Sequence, residues 1–125
     1  MKKISILVVE DYSDLRSLIQ IFLEQIGFAV VAKENGAEAL TYLNEQRPDL
    51  ILTDLMMPDV SGIELIEKVR ANHQLLNIPI IAMTACDREP IKKAKEAGAN
   101  RVLEKPLNPE AIVSTLRELL PFATV

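Results

Sequence analysis

Hydrophobic positions along this chain fall into two alternating rhythms. Five short apolar runs, Ile4–Val9, Phe28–Ala32, Leu50–Thr53, Ile78–Met83 and Arg101–Leu103, are nearly unbroken. Strands covered on both faces read this way. Between the runs, apolar residues recur at helical spacing. Leu15, Leu18, Ile19, Phe22, Leu23 and Ile26 form one wide stripe, the mark of a helix facing a core. Leu40 and Leu43, then Leu65, Ile66 and Val69, then Ile112, Leu116, Leu119 and Leu120 repeat the theme. A fourth helical segment, around Ile91 to Ala97, carries alanines where the others carry leucines. Strand and helix thus alternate five times.

Polar punctuation marks the boundaries. Ser13 is expected to cap the first helix, and Asn108 followed by Pro109 reads as an N-cap with proline at the first helical position. Gly27 and Gly98 stand just past helix ends, where a left-handed residue is wanted. Pro58, Ser61 and Gly62 break the chain ahead of the third helix. Five βα units in 125 residues predict a single α/β domain over residues 1–125, a doubly wound five-stranded parallel sheet with helices on both faces. Such sheets bind ligands beyond the carboxyl ends of their strands, where strand order reverses.

Composition narrows the function classes. A net charge of −4 argues against a nucleic-acid-binding surface, which needs clustered positive charge. Lys92, Lys93 and Lys95 lie among glutamates and read as a solvated helix face. No apolar run reaches the length of a membrane span. The opening "MKKISILVVED" ends its short apolar run in two acids, so it reads as a strand and not as a signal peptide. The lone cysteine, Cys86, allows no internal disulfide, and a reducing cytoplasm is the expected home. No effector domain is expected after the last helix.

The chemistry stands at the strand ends. The first run closes in Glu10 and Asp11, the third in Asp54, the fourth in Thr84 and the fifth in Glu104-Lys105-Pro106. Singly, each has a plain structural explanation: a solvated pair, a turn, a helix cap, a surface lysine. The topology, however, brings them to one edge of the sheet. Three carboxylates in one site repel unless positive charge offsets them. Lys105 supplies one charge, and the remaining deficit suits Mg²⁺, an oxygen-seeking ion content with one or two protein carboxylates. Thiolate and imidazole metals lack ligands, because the chain has one cysteine and one histidine, and His73 lies in a polar stretch. Carboxylate, lysine and hydroxyl beside a divalent cation suit phosphoryl transfer, with aspartate able to form an acyl phosphate. The chain has no Gly-rich nucleotide cradle, so it should take phosphate from a donor.

Four segments, "LVVED", "ILTDLMMPDVSG", "IIAMTA" and "GANRVLEKPL", occur in the order and spacing of a known family. Through them the chain resembles a response-regulator receiver domain of two-component and phosphorelay signalling. The resemblance implies the flavodoxin-like (βα)5 fold with strand order 2-1-3-4-5. It implies Asp54 as phosphoacceptor, with Thr84 closing onto the phosphoryl group and Lys105 pairing with it. Asp11 and Asp54 would hold Mg²⁺ with the main-chain carbonyl of Met56, and Glu10 would act mainly through water. A cis Lys105–Pro106 bond is implied too, as is a sensor histidine kinase or histidine phosphotransfer protein as partner. Val102 and Leu107 stand where the family often has aromatics of its output switch.

Three other readings compete. A phosphatase-like hydrolase with an aspartyl-phosphate intermediate would show Asp-x-Asp after the first strand, where this chain reads Glu10-Asp11-Tyr12. A flavodoxin-type cofactor protein needs a phosphate loop there, and "EDYSD" would repel one. A degenerate receiver that binds partners without phosphate would not need the full acidic set. The expected behaviour is therefore that of a switch promoting its own phosphorylation, not that of a turnover enzyme.

Overall fold

The computed structural model describes residues 3–85 and 88–123, with backbone alone at 88 and 89. Ten elements alternate: β1 (Ser5–Val9), α1 (Ser13–Gln25), β2 (Ala29–Lys33), α2 (Gly36–Leu43), β3 (Leu50–Asp54), α3 (Gly62–Arg70), β4 (Ile80–Thr84), α4 (Arg88–Ala97), β5 (Arg101–Glu104) and α5 (Pro109–Leu119). All pairings are parallel and the strand order is β2-β1-β3-β4-β5. The doubly wound flavodoxin-like sheet, with order 2-1-3-4-5, is therefore the fold of this chain. Each apolar run became the strand expected, its ends displaced by at most two residues, and each helical stripe falls on a helix that begins two to four residues before its first apolar position.

The two-residue period of the strands sorts the core into two layers. Leu7, Val9, Ile51, Ile80 and Ala82 face α2, α3 and α4, where they meet Ala39, Leu65, Ile66, Val69 and Ala94. Ile6, Val8, Leu50, Leu52, Ile81 and Met83 face α1 and α5, against Ile19, Leu23, Ile112 and Leu116. Strands β3 and β4 are buried throughout, as is β1 past its first residue. The edge strands β2 and β5 are only half-buried, though their apolar runs resemble those of the centre. An edge strand has one neighbour, and the helices do not wrap around it.

Among the described residues, three helices start on the side chain of an N-cap. Asn35 accepts from the Glu38 N–H, Ser61 from the Glu64 N–H, and Asn108 from the Glu110 and Ala111 N–H groups. Helix α1 does not. Its N-cap is Tyr12, with no side-chain cap, and the expected cap Ser13 is already the first helical residue. Leu18, counted in the apolar stripe of α1, is 64% exposed, because that stripe is wider than the arc the sheet covers. Gly27 and Gly98 do take positive φ, and Lys105–Pro106 is cis.

Candidate functional site

Strand register puts two acids level with each other. Val9 pairs with Thr53 in the β1–β3 ladder, so Glu10 and Asp54 follow on the next rung. Glu10 continues the parity of Ile6 and Val8, and Asp54 that of Leu50 and Leu52, so both carboxylates leave the sheet on its α1/α5 side. Thr84 follows Ile80 and Ala82 and leaves on the other side. Carboxylate oxygens of Glu10, Asp11 and Asp54 lie within 4.8 Å of one another. Glu10 is fully buried, Asp54 is 5% exposed, and Asp11 is open to solvent.

One ammonium serves the two buried acids. Lys105 Nζ donates to Glu10 Oε1 at 2.9 Å and stands 3.4 Å from Asp54 Oδ1. Backbone donors supply the rest: Tyr12 N–H to Glu10 Oε2 at 3.1 Å and Met56 N–H to Asp54 Oδ1 at 3.5 Å. These contacts do not fully offset desolvation. Burial pushes the Glu10 carboxyl up, against the pull of Lys105 and the Tyr12 N–H, and the charge of Asp54 adds to the rise. Burial also raises Asp54, again against Lys105 and the Met56 N–H. Burial alone would lower the Lys105 ammonium, but its bonds and charge contacts with Glu10 and Asp54 outweigh this and hold it above the ordinary lysine value. Among the described residues, one ammonium faces two buried carboxylates, which leaves an excess of buried negative charge.

The surrounding loops are held by close backbone approach. The Gly62 N–H donates to the Leu55 carbonyl, and a Cβ at position 62 would come within 2.1 Å of the Asp54 carbonyl oxygen. No residue with a side chain fits there without moving the strand tip that carries Asp54. Asp59 takes a left-handed φ of 66° in the same loop. Thr84 donates its hydroxyl to the Ala85 carbonyl, and its own carbonyl accepts from the Lys105 N–H at 2.7 Å. That backbone bond ties the ends of β4 and β5 together.

The structure thus brings together Glu10, Asp11, Asp54 and Lys105, with Thr84 bonded to the lysine's backbone. Met56 presents its N–H to Asp54, and its side chain is 69% exposed at the rim. His73 is exposed and far along the chain from this cluster. Cys86 lies outside the described residues. Sequence reading missed two contributors. Gly62 was legible only as a helix breaker, since close approach to Asp54 depends on tertiary packing. Arg16 donates from one Nη1 to the carbonyls of Glu10 at 2.9 Å and Asp11 at 3.4 Å. An arginine early in a helix gives no sign that it folds back onto the preceding loop.

A doubly wound sheet with an acidic, lysine-bearing pocket beyond its strand ends is the arrangement of phosphotransfer signalling modules. The sequence matches the family described as "Response regulator receiver domain" over residues 6–117, and the chain belongs to that family. It is 36% identical over 117 residues to the phosphate regulon transcriptional regulatory protein PhoB of Pseudomonas aeruginosa, a match covering 93% of this chain. The chain spans about half (51%) of that protein's length. The polar-differentiation response regulator DivK of Brucella anthropi is 32% identical over 93% of this chain and 95% of its own. Among solved structures, the receiver domain of sensor histidine kinase PA1611 from Pseudomonas aeruginosa, with magnesium coordinated in its active-site cleft, superposes with a TM-score of 0.89. Its identity is 28%, over 96% of this chain and 99% of the other. Receiver domains are switches of two-component signalling, not turnover enzymes.

Proposed function

We propose that this chain is a phosphorylatable switch that takes a phosphoryl group from a phosphohistidine donor onto Asp54 in a Mg²⁺-dependent reaction. The observation that carries the reading is the Asp54 carboxylate itself. It is almost buried at the tip of the central strand, 3.4 Å from Lys105 and flanked by Glu10 and Asp11.

The donor set fits a hard divalent cation. Three carboxylates cluster where one ammonium reaches two of them, and burial favours protonation of those two, so an oxygen-seeking ion relieves the charge excess. Asp11 and Asp54 would hold it directly with the Met56 carbonyl, while Glu10, already bonded to Lys105 and Tyr12, would reach it through water. When bound, Mg²⁺ offsets charge on the phosphoryl oxygens. The magnesium in the PA1611 receiver supports the same assignment.

The chain's own residues do the remainder. An Asp54 oxygen attacks phosphorus, the phosphorus–nitrogen bond to the donor imidazole breaks, and the imidazole leaves with the bonding pair. Lys105 must shift its ammonium from Asp54 to the new phosphoryl oxygens. Thr84 must exchange its bond to the Ala85 carbonyl for one to phosphate, which pulls the β4 end toward the site. Side chains of Tyr12, Leu15, Leu18, Phe22, Leu107 and Pro109 line an apolar groove of about 530 Å³ beside Lys105. A histidine kinase or phosphotransfer protein would seat there as donor. No helix among the described residues is long and apolar enough to cross a membrane.

Incubation with a small-molecule phosphodonor and Mg²⁺, followed by intact mass, tests the reading. One phosphoryl group should appear on the wild type and none on Asp54→Asn. Labelling that survives excess EDTA, or persists in the variant, refutes it, and absence of wild-type labelling favours a phosphate-independent interaction module.

A further inference from the structure

The fastening of the acidic loop depends on a residue outside the acid–lysine set. Helix α1 alone among the helices with a described N-cap side chain lacks a cap bond, so no N-cap side chain secures the β1–α1 junction. The junction carries Glu10 and Asp11. Arg16, one turn into α1, folds back and gives the same Nη1 to both of their carbonyls, at 2.9 and 3.4 Å. Its own N–H bonds the Tyr12 carbonyl at 2.9 Å. Backbone and side chain of Arg16 therefore hold the carbonyls of three successive residues. No ion pair between Arg16 and a carboxylate is found among the described residues, although the acidic cluster is close by. The guanidinium is committed to backbone.

We infer that Arg16 is a positioning residue for the cation site. It fixes the backbone of Glu10 and Asp11 so that the solvent-exposed Asp11 carboxylate stays within reach of Asp54. The inference rests on the Mg²⁺-dependent reading above. Glu10 is held from several sides, by Lys105, the Tyr12 N–H and its ladder bond to Lys33. Among the described residues Asp11 is held only by Arg16 and by its side-chain bond to Glu10, so loss of Arg16 acts mainly on Asp11. Groups that orient metal ligands from behind typically matter tenfold or more in metal affinity.

The sign of the effect separates positioning from simple electrostatics. A guanidinium beside a cation site repels the incoming ion, so if charge were its whole role, removing it would tighten Mg²⁺ binding. If Arg16 positions, removing it weakens binding despite the lost repulsion. The test is calorimetric titration of MgCl₂ into the metal-free full chain, with thermal unfolding in EDTA measured alongside. Wild type, Arg16→Met, Arg16→Lys and Asp54→Asn are compared. Arg16→Met should bind Mg²⁺ about tenfold more weakly while remaining folded at the titration temperature. Arg16→Lys keeps the charge and a nitrogen able to donate to these carbonyls but lacks the rigid planar guanidinium that sets the Nη1 position, so it should fall between. Equal or tighter binding by Arg16→Met overturns the inference, as does a lysine variant no better than the methionine one. If Arg16→Met does not fold, Arg16→Lys against wild type decides on the same criterion. Weakened binding in Asp54→Asn with none in either Arg16 variant sinks the inference alone. A wild type that takes up no Mg²⁺ sinks both it and the functional reading.

Discussion

Replacing the phosphoacceptor by its neutral isostere should make the metal-free protein more stable. Asp54 is attracted by Lys105 at 3.4 Å, about 5 kcal/mol at an effective dielectric of 20. It is repelled by buried Glu10 at no more than 4.8 Å, at least about 3.5 kcal/mol on the same scale. Exposed Asp11, screened by solvent, adds roughly half as much again. On this scale repulsion offsets most of the attraction, and the cost of burying the charge leads the upward pull on the Asp54 carboxyl. Asparagine avoids that cost and can still accept from Lys105 and the Met56 N–H. The expected gain for Asp54→Asn in EDTA is about 1–2 kcal/mol, or roughly 3–8 °C in midpoint for a domain this size. Mg²⁺ reverses the advantage. At tenfold excess over its dissociation constant, the ion stabilises wild type by about 1.4 kcal/mol, and the variant should gain much less. Thermal unfolding by circular dichroism, with EDTA and with a Mg²⁺ series, measures both effects. An asparagine variant less stable than wild type in EDTA would refute the charge argument, and equal Mg²⁺ gains in the two proteins would refute the ligand role of Asp54.

Further consequences are open to simpler measurements. Because burial raises the carboxyls of Glu10 and Asp54 in the folded state, the native protein binds more protons than the unfolded chain just above the ordinary carboxylate values. This site's contribution should therefore fall as pH rises from about 4 upward; Mg²⁺ should flatten the fall, and urea midpoints across that range check it. Lys105 acts at the other end: its raised ammonium contributes below the ordinary lysine value and that contribution is lost as pH rises through the folded one. Gly62→Ala should lower both stability and phosphorylation rate, since its Cβ would strike the Asp54 carbonyl; wild-type labelling kinetics in the variant would contradict this. Arg70 donates to the carbonyls of Gly98, Leu76 and Ile78 and to Asn100 Oδ1, so Arg70→Met should cost about 3 kcal/mol in denaturant unfolding. Met56, exposed at the rim, offers little to hold an attacking water, so Met56→Asn should speed decay of the phosphorylated protein in excess Mg²⁺.

Much of this protein was legible in its sequence because the legible features are local. Alternating apolar runs and stripes name the βα units, and Asn108-Pro109, Gly27 and Gly98 mark real helix ends. Acids, threonine and lysine at the strand ends name the site, because a parallel doubly wound sheet gathers those ends on one edge. What escaped depends on distance through space. Ser13 looked like a cap, but the helix begins one residue earlier than that role allows, with Tyr12 as the extended N-cap, and Arg16 folds back onto the preceding carbonyls. The strand runs of β2 and β5 resemble those of the centre, yet only position in the sheet leaves them half-open. Leu18 belongs to the helical stripe by spacing, yet stays largely exposed because that stripe is wider than the arc the sheet covers. Gly62 reads as punctuation until Asp54 is seen pressed against it. The chain's pattern thus determined which groups are present and which edge they share. Folding alone decided that one ammonium lies between two buried carboxylates, because charge balance at a site is a property of distances that no spacing along the chain encodes.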